Sequence, residues 1–244
     1  MRLKLISCEI FFREMCLAAS RSLNFVDVEF LPKGLHDIGS AGMLERLQAT
    51  LDRVDDAKYD AVLLGYGLCN NGLVGLQTRK LPVVVPRAHD CITMFLGSKE
   101  RYLQYFYDNP GVFFMTTGWI ERNDRGELRQ SSVSYKSGMD LSYDELVAKY
   151  GEDNAKFLYE QLGAKPTHYR KMTFIELGIE PDGSFEQRAR DDAGQRGWEF
   201  EKIAGDFSMI RRFVDGPWND NEFLCVPAGK RIAASFDESI IKAE

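Results

Sequence analysis

Among the side chains of this 244-residue chain, five cysteines and three histidines are the ones best suited to bind a soft metal ion or to act as nucleophiles. Five cysteines is an odd number and a sparse one for this length, so they do not read as a disulfide framework. In a reducing compartment such thiols fill cores, attack electrophiles or ligate metals. Cys8 closes the apolar run at residues 3–7, and His36 follows Pro32-Lys-Gly34. Cys69 lies inside Gly65-Tyr-Gly-Leu-Cys-Asn-Asn-Gly72, and His89 and Cys91 lie inside Pro86-Arg-Ala-His-Asp-Cys91. Thiolate and imidazole together suit a tetrahedral Zn²⁺. The expected ligands are Cys8, Cys69, His89 and Cys91, with His36 as a spare ligand or a group behind them.

These residues are far apart along the chain, so the elements before them must bring them together. Apolar runs of strand length occur at residues 3–7, 25–31, 59–66 and 81–85, with helical spacing at 10–20 and 43–54 and helical turns over 91–107. Strands alternating with helices predict an α/β fold: a Rossmann-like parallel sheet with helices on both faces. Ligands of such sheets bind beyond the carboxyl ends of the strands. Cys8, His36, Cys69, and His89 with Cys91 follow the first, second, third and fourth strands, which predicts one shared edge.

The flanking residues suit a site. Gly65, Gly67 and Gly72 permit close backbone approach, and with Asn70 they form a loop whose free N–H groups could hold a thiolate or an anion. Arg87 and Asp90 could orient an imidazole or balance thiolate charge. These six residues are the expected cofactor-binding set. Tyr66, Tyr102, Trp119 and Trp218 are candidate pocket aromatics. Cys16, in a helix pattern, and Cys225, in a strand pattern, read as core, and His168 as a surface residue.

The second half continues in the same style, with strands expected at 112–117, 172–177, 199–203 and 223–226 and helices at 184–195 and 206–214. A polar loop is expected over 121–139, with further helices beginning at Ser142 and Gly151. A boundary near Asn109-Pro-Gly111 divides the chain into a lobe at 1–110 carrying the Cys/His loops and a lobe at 111–244 covering the site, with Gly205-Asp206 and Trp218 as covering residues.

Composition excludes other classes. Thirty-one Lys and Arg against 37 Asp and Glu give a net charge of −6, and without a basic run nucleic acid is not an expected partner. No apolar stretch approaches the roughly 18 residues of a membrane span. The first residues enter a strand pattern without a secretory segment, so the cytoplasm is the expected location. No G-x-G-x-x-G, P-loop or G-x-S-x-G motif is present. A Cys–His nucleophilic pair, Cys69 or Cys91 with His89, is the competing chemistry and leaves the other cysteines without a task.

Four segments together carry a resemblance: Cys8-Glu-Ile-Phe-Phe-Arg-Glu14, Leu31-Pro-Lys-Gly-Leu-His36, Gly65-Tyr-Gly-Leu-Cys-Asn-Asn-Gly72, and Pro86-Arg-Ala-His-Asp-Cys-Ile92 with Leu96-Gly-Ser98. They resemble the bacterial and archaeal domain-of-unknown-function family 1638 (DUF1638), and Gly205-Asp206 and the stretch from Trp218 to Pro227 fit as well. The resemblance implies a setting in anaerobic one-carbon metabolism beside corrinoid-dependent methyltransferases, and no defined reaction. The first expectation is a zinc enzyme that activates a thiol or methyl-group substrate. The second is a 4Fe-4S cluster held by Cys8, Cys69 and Cys91 with one open iron. The third is a non-catalytic accessory binding a corrinoid or a corrinoid protein, with His36 or His89 on cobalt.

Overall fold

The computed structural model describes residues 1–69, 71–122 and 169–244 and a few positions between 144 and 156; of His36 it describes the backbone alone. Most of the expected loop over 121–139 and of the helices begun at Ser142 and Gly151, together with His168 and Asn70, lies outside the described residues.

The chain is a mixed α/β protein built on a mostly parallel sheet flanked by helices. Strands β1 (Arg2–Cys8), β2 (Phe25–Leu31), β3 (Ala61–Gly65), β4 (Val83–Pro86) and β8 (Phe223–Val226) form a sheet in the order β2-β1-β3-β4-β8. The first four run parallel, and β8 pairs antiparallel with β4. Every residue of β3 and β4 is buried, as expected of uninterrupted apolar strands covered on both faces. Each buried Val or Leu contributes about 1.5–3 kcal/mol.

Helix α2 (Gly39–Leu51) buries Met43, Leu47 and Leu51, four residues apart on one face. Helix α1 (Phe12–Arg21) buries Glu14, Met15 and Ala18. Short helix α3 (Ile92–Leu96) is wholly buried, and its Phe95 stacks on Phe11 at 4.6 Å between ring centroids. Helix α4 (Lys99–Asp108) begins at Ser98, whose hydroxyl accepts the Arg101 N–H. Residues 71–75 form turns, and Gln77 makes an isolated bridge to Arg231.

A second parallel sheet contains β5 (Val112–Met115), β6 (Lys171–Glu176) and β7 (Glu199–Ala204), in the order β5-β6-β7. Its smaller core joins Met172 and Phe174 to Ile120 of helix α5 (Thr117–Glu121) and to Ala189 and Ala193 of helix α6 (Ser184–Arg196). Helix α7 (Ser208–Asp215) then returns to the first core through Met209, Ile210, Phe213 and Val214. β8, from the second half of the chain, lies in the first sheet beside β4.

Two cysteines correct the expected core: Cys16 and Cys225 are both exposed. A hairpin of β9 (Ile232–Ala234) and β10 (Ile241–Ala243) closes the fold. Arg87 holds this closure. Its guanidinium donates to the carbonyls of Asp220, Ser239 and Ile241 and pairs with the Asp220 carboxylate at 2.8 Å. Arg87 is therefore a buried clamp on the C-terminal segment.

Glu14 is a buried carboxyl whose Oε2 has no hydrogen-bond partner among the described residues. Burial, aided by Glu180 and Glu121, pushes it up from the usual 4.5 to about 7. Between those values the folded state holds a proton that the unfolded chain has released. This group's contribution therefore falls as pH rises from about 4.5 to about 7, by roughly 3 kcal/mol in all. Glu14→Gln is expected to remove that slope, so that urea unfolding from about pH 5 to about pH 8 shows the variant gaining on the parent as pH rises. A constant difference between the two would refute it.

Candidate functional site

The carboxyl ends of β1, β3 and β4 deliver their loops to one place. Cys8 ends β1 with extended backbone and leads into a 3-10 turn at Glu9–Phe11. After β3, Leu68 N–H donates to Ala88 O at 2.8 Å and Cys69 N–H to His89 O at 3.1 Å. The loop carrying Cys69 is thus zipped along the loop carrying His89 and Cys91. Gly67 makes this approach possible, because a Cβ there would lie 2.7 Å from the Asp90 backbone. Cys69 itself has φ +39°, a conformation that costs energy outside glycine and is found enriched at functional sites.

These loops line a cavity of about 580 Å³. Cys8, Cys69 and Cys91 reach it, with Tyr66, Gly67, His89 and Asp90. Lys33 and Trp119 also line it, the ammonium 4.6 Å from the indole centroid. The lining also includes the apolar side chains Phe106 of α4 and Val112, Phe113 and Phe114 of β5, with Tyr169. Asp90 is fixed at both oxygens, accepting Ile92 N–H at 2.9 Å and the Tyr102 hydroxyl at 2.7 Å. Its carboxyl is pushed upward, by burial first.

Polar groups near each sulfur favour the thiolate: the Ile10 backbone at Cys8, the Gly67 and Cys91 backbone at Cys69, and Trp119 at Cys91. Opposing forces are larger. Burial, with smaller contributions from Cys69 and Glu9, pushes Cys8 up to about 12. Burial and then Asp90 push Cys69 up to about 12. Burial, Cys69, Asp90 and Cys8 raise Cys91 well above the usual thiol range. With no added cation the three are neutral thiols at neutral pH. Among the described residues no group of three or more His, Cys, Asp and Glu side chains is positioned to hold a metal ion.

Of the expected site residues, Cys8, Cys69, His89, Cys91, Gly67 and Asp90 meet at this cavity. Gly65 packs instead on Ser7 and Met15, and Gly72 on Met43. The side chain of His36, and Asn70, are not among the described residues. Tyr66, Tyr102 and Trp119 line the cavity, whereas the Trp218 indole donates to Phe213 O at 2.8 Å. Gly205-Asp206 lies behind α3, with Asp206 N–H on Phe95 O at 2.9 Å. The wall of Val112, Phe113 and Phe114 was not anticipated, and the Phe-Phe pair beginning a strand is its only sequence trace.

The family model described as "Protein of unknown function (DUF1638)" matches residues 30–214. The chain belongs to the DUF1638 family. The match takes in Cys69, His89 and Cys91, while Cys8 and β8 lie outside it. No curated protein and no solved structure matches this DUF1638 member. No helix among the described residues is long and apolar enough to cross a membrane.

Proposed function

We propose that this cavity is a thiolate metal site, in which Cys8, Cys69 and Cys91 bind a thiophilic ion and one coordination position faces a small-molecule substrate. The observation that carries the reading is that Cys8, Cys69 and Cys91, each at or just beyond the carboxyl end of a different parallel strand, line one cavity. Polar groups around such sulfurs stabilise thiolates and tune a bound metal. Three thiolates crowded together in a dry pocket need a cation, and a metal ion supplies one while displacing the thiol protons. Closing the sulfurs on one ion requires their side chains to rotate, so metal binding and local ordering are coupled. His89 or the substrate would complete a tetrahedral set.

The sheet order supports the placement. In a Rossmann-like reading of β2-β1-β3-β4, the strand order reverses between β1 and β3, and such switch points are where α/β sheets bind ligands. Bound zinc would lower the pKa of a substrate thiol and prepare it for methyl-group transfer. A cluster with one open iron would act as a Lewis acid at the same cysteines. A cavity of about 580 Å³ suits a drug-sized ligand. A corrinoid, much bulkier, would remain on a partner protein at the mouth.

Metal analysis with an absorption spectrum, on protein purified without oxygen, tests the reading. Stoichiometric zinc without colour, or iron with acid-labile sulfide and a brown absorbance, is expected. Metal-free protein that a single equivalent of electrophile alkylates at Cys69 would instead support the thiol-nucleophile chemistry, which the lack of a preformed ligand set favours.

A further inference from the structure

Tyr66 is 3 % exposed, lines the cavity beside Cys8 and Cys69, and its hydroxyl has no hydrogen-bond partner among the described residues. A buried phenol normally finds a partner, and leaving one unsatisfied destabilises the fold. A phenol carries its proton at neutral pH, so Tyr66 presents an O–H donor. The cavity therefore presents an unused donor, with the Lys33 ammonium and the rings of Phe106, Phe113 and Phe114 also on its lining.

We infer that Tyr66 anchors the substrate, donating its hydroxyl to an acyl oxygen of a small carboxylate or amide whose apolar body lies against the Phe113 wall. This inference rests on the reading of the cavity as a substrate site at a metal centre, and it adds the chemical class of that substrate. Tyr66 acts here as a positioning residue, complementary to the orientation that a metal-facing substrate needs.

Three probes of the same body test it by ligand-observed NMR titration: hydrocinnamate, hydrocinnamide and propylbenzene, the last lacking an acceptor. The parent is expected to bind at least one acyl probe more tightly than propylbenzene. Tyr66→Phe is expected to weaken that acyl probe about tenfold, the worth of one buried hydrogen bond, and to leave propylbenzene unchanged. Without ligand, Tyr66→Phe is expected to melt no lower than the parent, because it deletes an unsatisfied group. Failure of every probe to bind the parent, equal weakening of all three, or a lower melting temperature would each overturn the inference. Metal content is measured on the same samples. A metal-free parent sinks the metal reading, whereas unchanged acyl affinity in a metal-loaded Tyr66→Phe sinks this inference alone.

Discussion

Serine at Cys69 is expected to strip the protein of its metal, and serine at Cys8 or Cys91 to do nearly the same. Cys8, Cys69 and Cys91 line one cavity, each at or just beyond the carboxyl end of a different parallel strand. A serine hydroxyl does not ionise at working pH and is a poor ligand for a soft ion. Loss of groups that merely orient ligands typically costs about 10–100-fold in metal affinity, and loss of a ligand itself is expected to exceed that. Serine at the exposed Cys16 and Cys225 serves as the control and is expected to leave metal content unchanged. Acid should release the metal steeply, because the three thiols, held well above the usual thiol range by burial, must rebind roughly three protons as the ion leaves. Competition with a colorimetric chelator across the five variants measures both effects. Equal metal content in Cys16→Ser and Cys69→Ser would refute the ligand assignment.

The meeting of Cys8, Cys69, His89 and Cys91 at one cavity was legible before any coordinates because apolar runs mark buried strands. Residues 25–31 and 223–226 form β2 and β8 with those bounds, and each cysteine and histidine of interest follows a strand end. Strand direction was not legible: the Phe-Leu-Cys-Val pattern of β8 is equally consistent with parallel and antiparallel pairing, and only the route of the chain decides. Cys16 follows Met15 on a helix whose buried face runs through Phe11, Met15 and Ala18. One residue past that face is about a hundred degrees away, so it meets solvent. Arg87 shows the opposite limit. Its partners lie 133 to 154 residues along the chain, and no local pattern announces a clamp of that span. The Phe113 wall is tertiary in the same way, because it depends on how the second sheet meets the first. Glu14 had no legible sign, since a carboxyl beside an apolar stripe normally points to water.

That meeting of the sheets can be tested at one atom. Gly118, in α5, packs so closely that a Cβ there would stand 1.8 Å from Ile10 O and 2.7 Å from Ile10 C. Both are backbone atoms, so no side-chain rotation relieves the clash. Gly118→Ala is expected to drive α5 away from the 3-10 turn, at a cost of about 3 kcal/mol or more in urea unfolding. The same shift strains the Arg13–Glu121 pair, bonded at 2.9 and 3.1 Å, and displaces Trp119 and Ile10 in the cavity lining they share with the cysteines. Metal affinity is therefore expected to fall in Gly118→Ala although no ligand has been touched. Gly183→Ala is the matched control: nothing lies within 4 Å of a Cβ built there, and its φ is −79°. It is expected to change stability by less than about 0.5 kcal/mol and to keep its metal. If both alanine variants unfold at the parent's urea midpoint, the close contact between α5 and the Ile10 carbonyl is not part of the folded protein. The apolar wall would then have no fixed place beside the cysteines, and a single cavity shared by the two sheets could not be maintained.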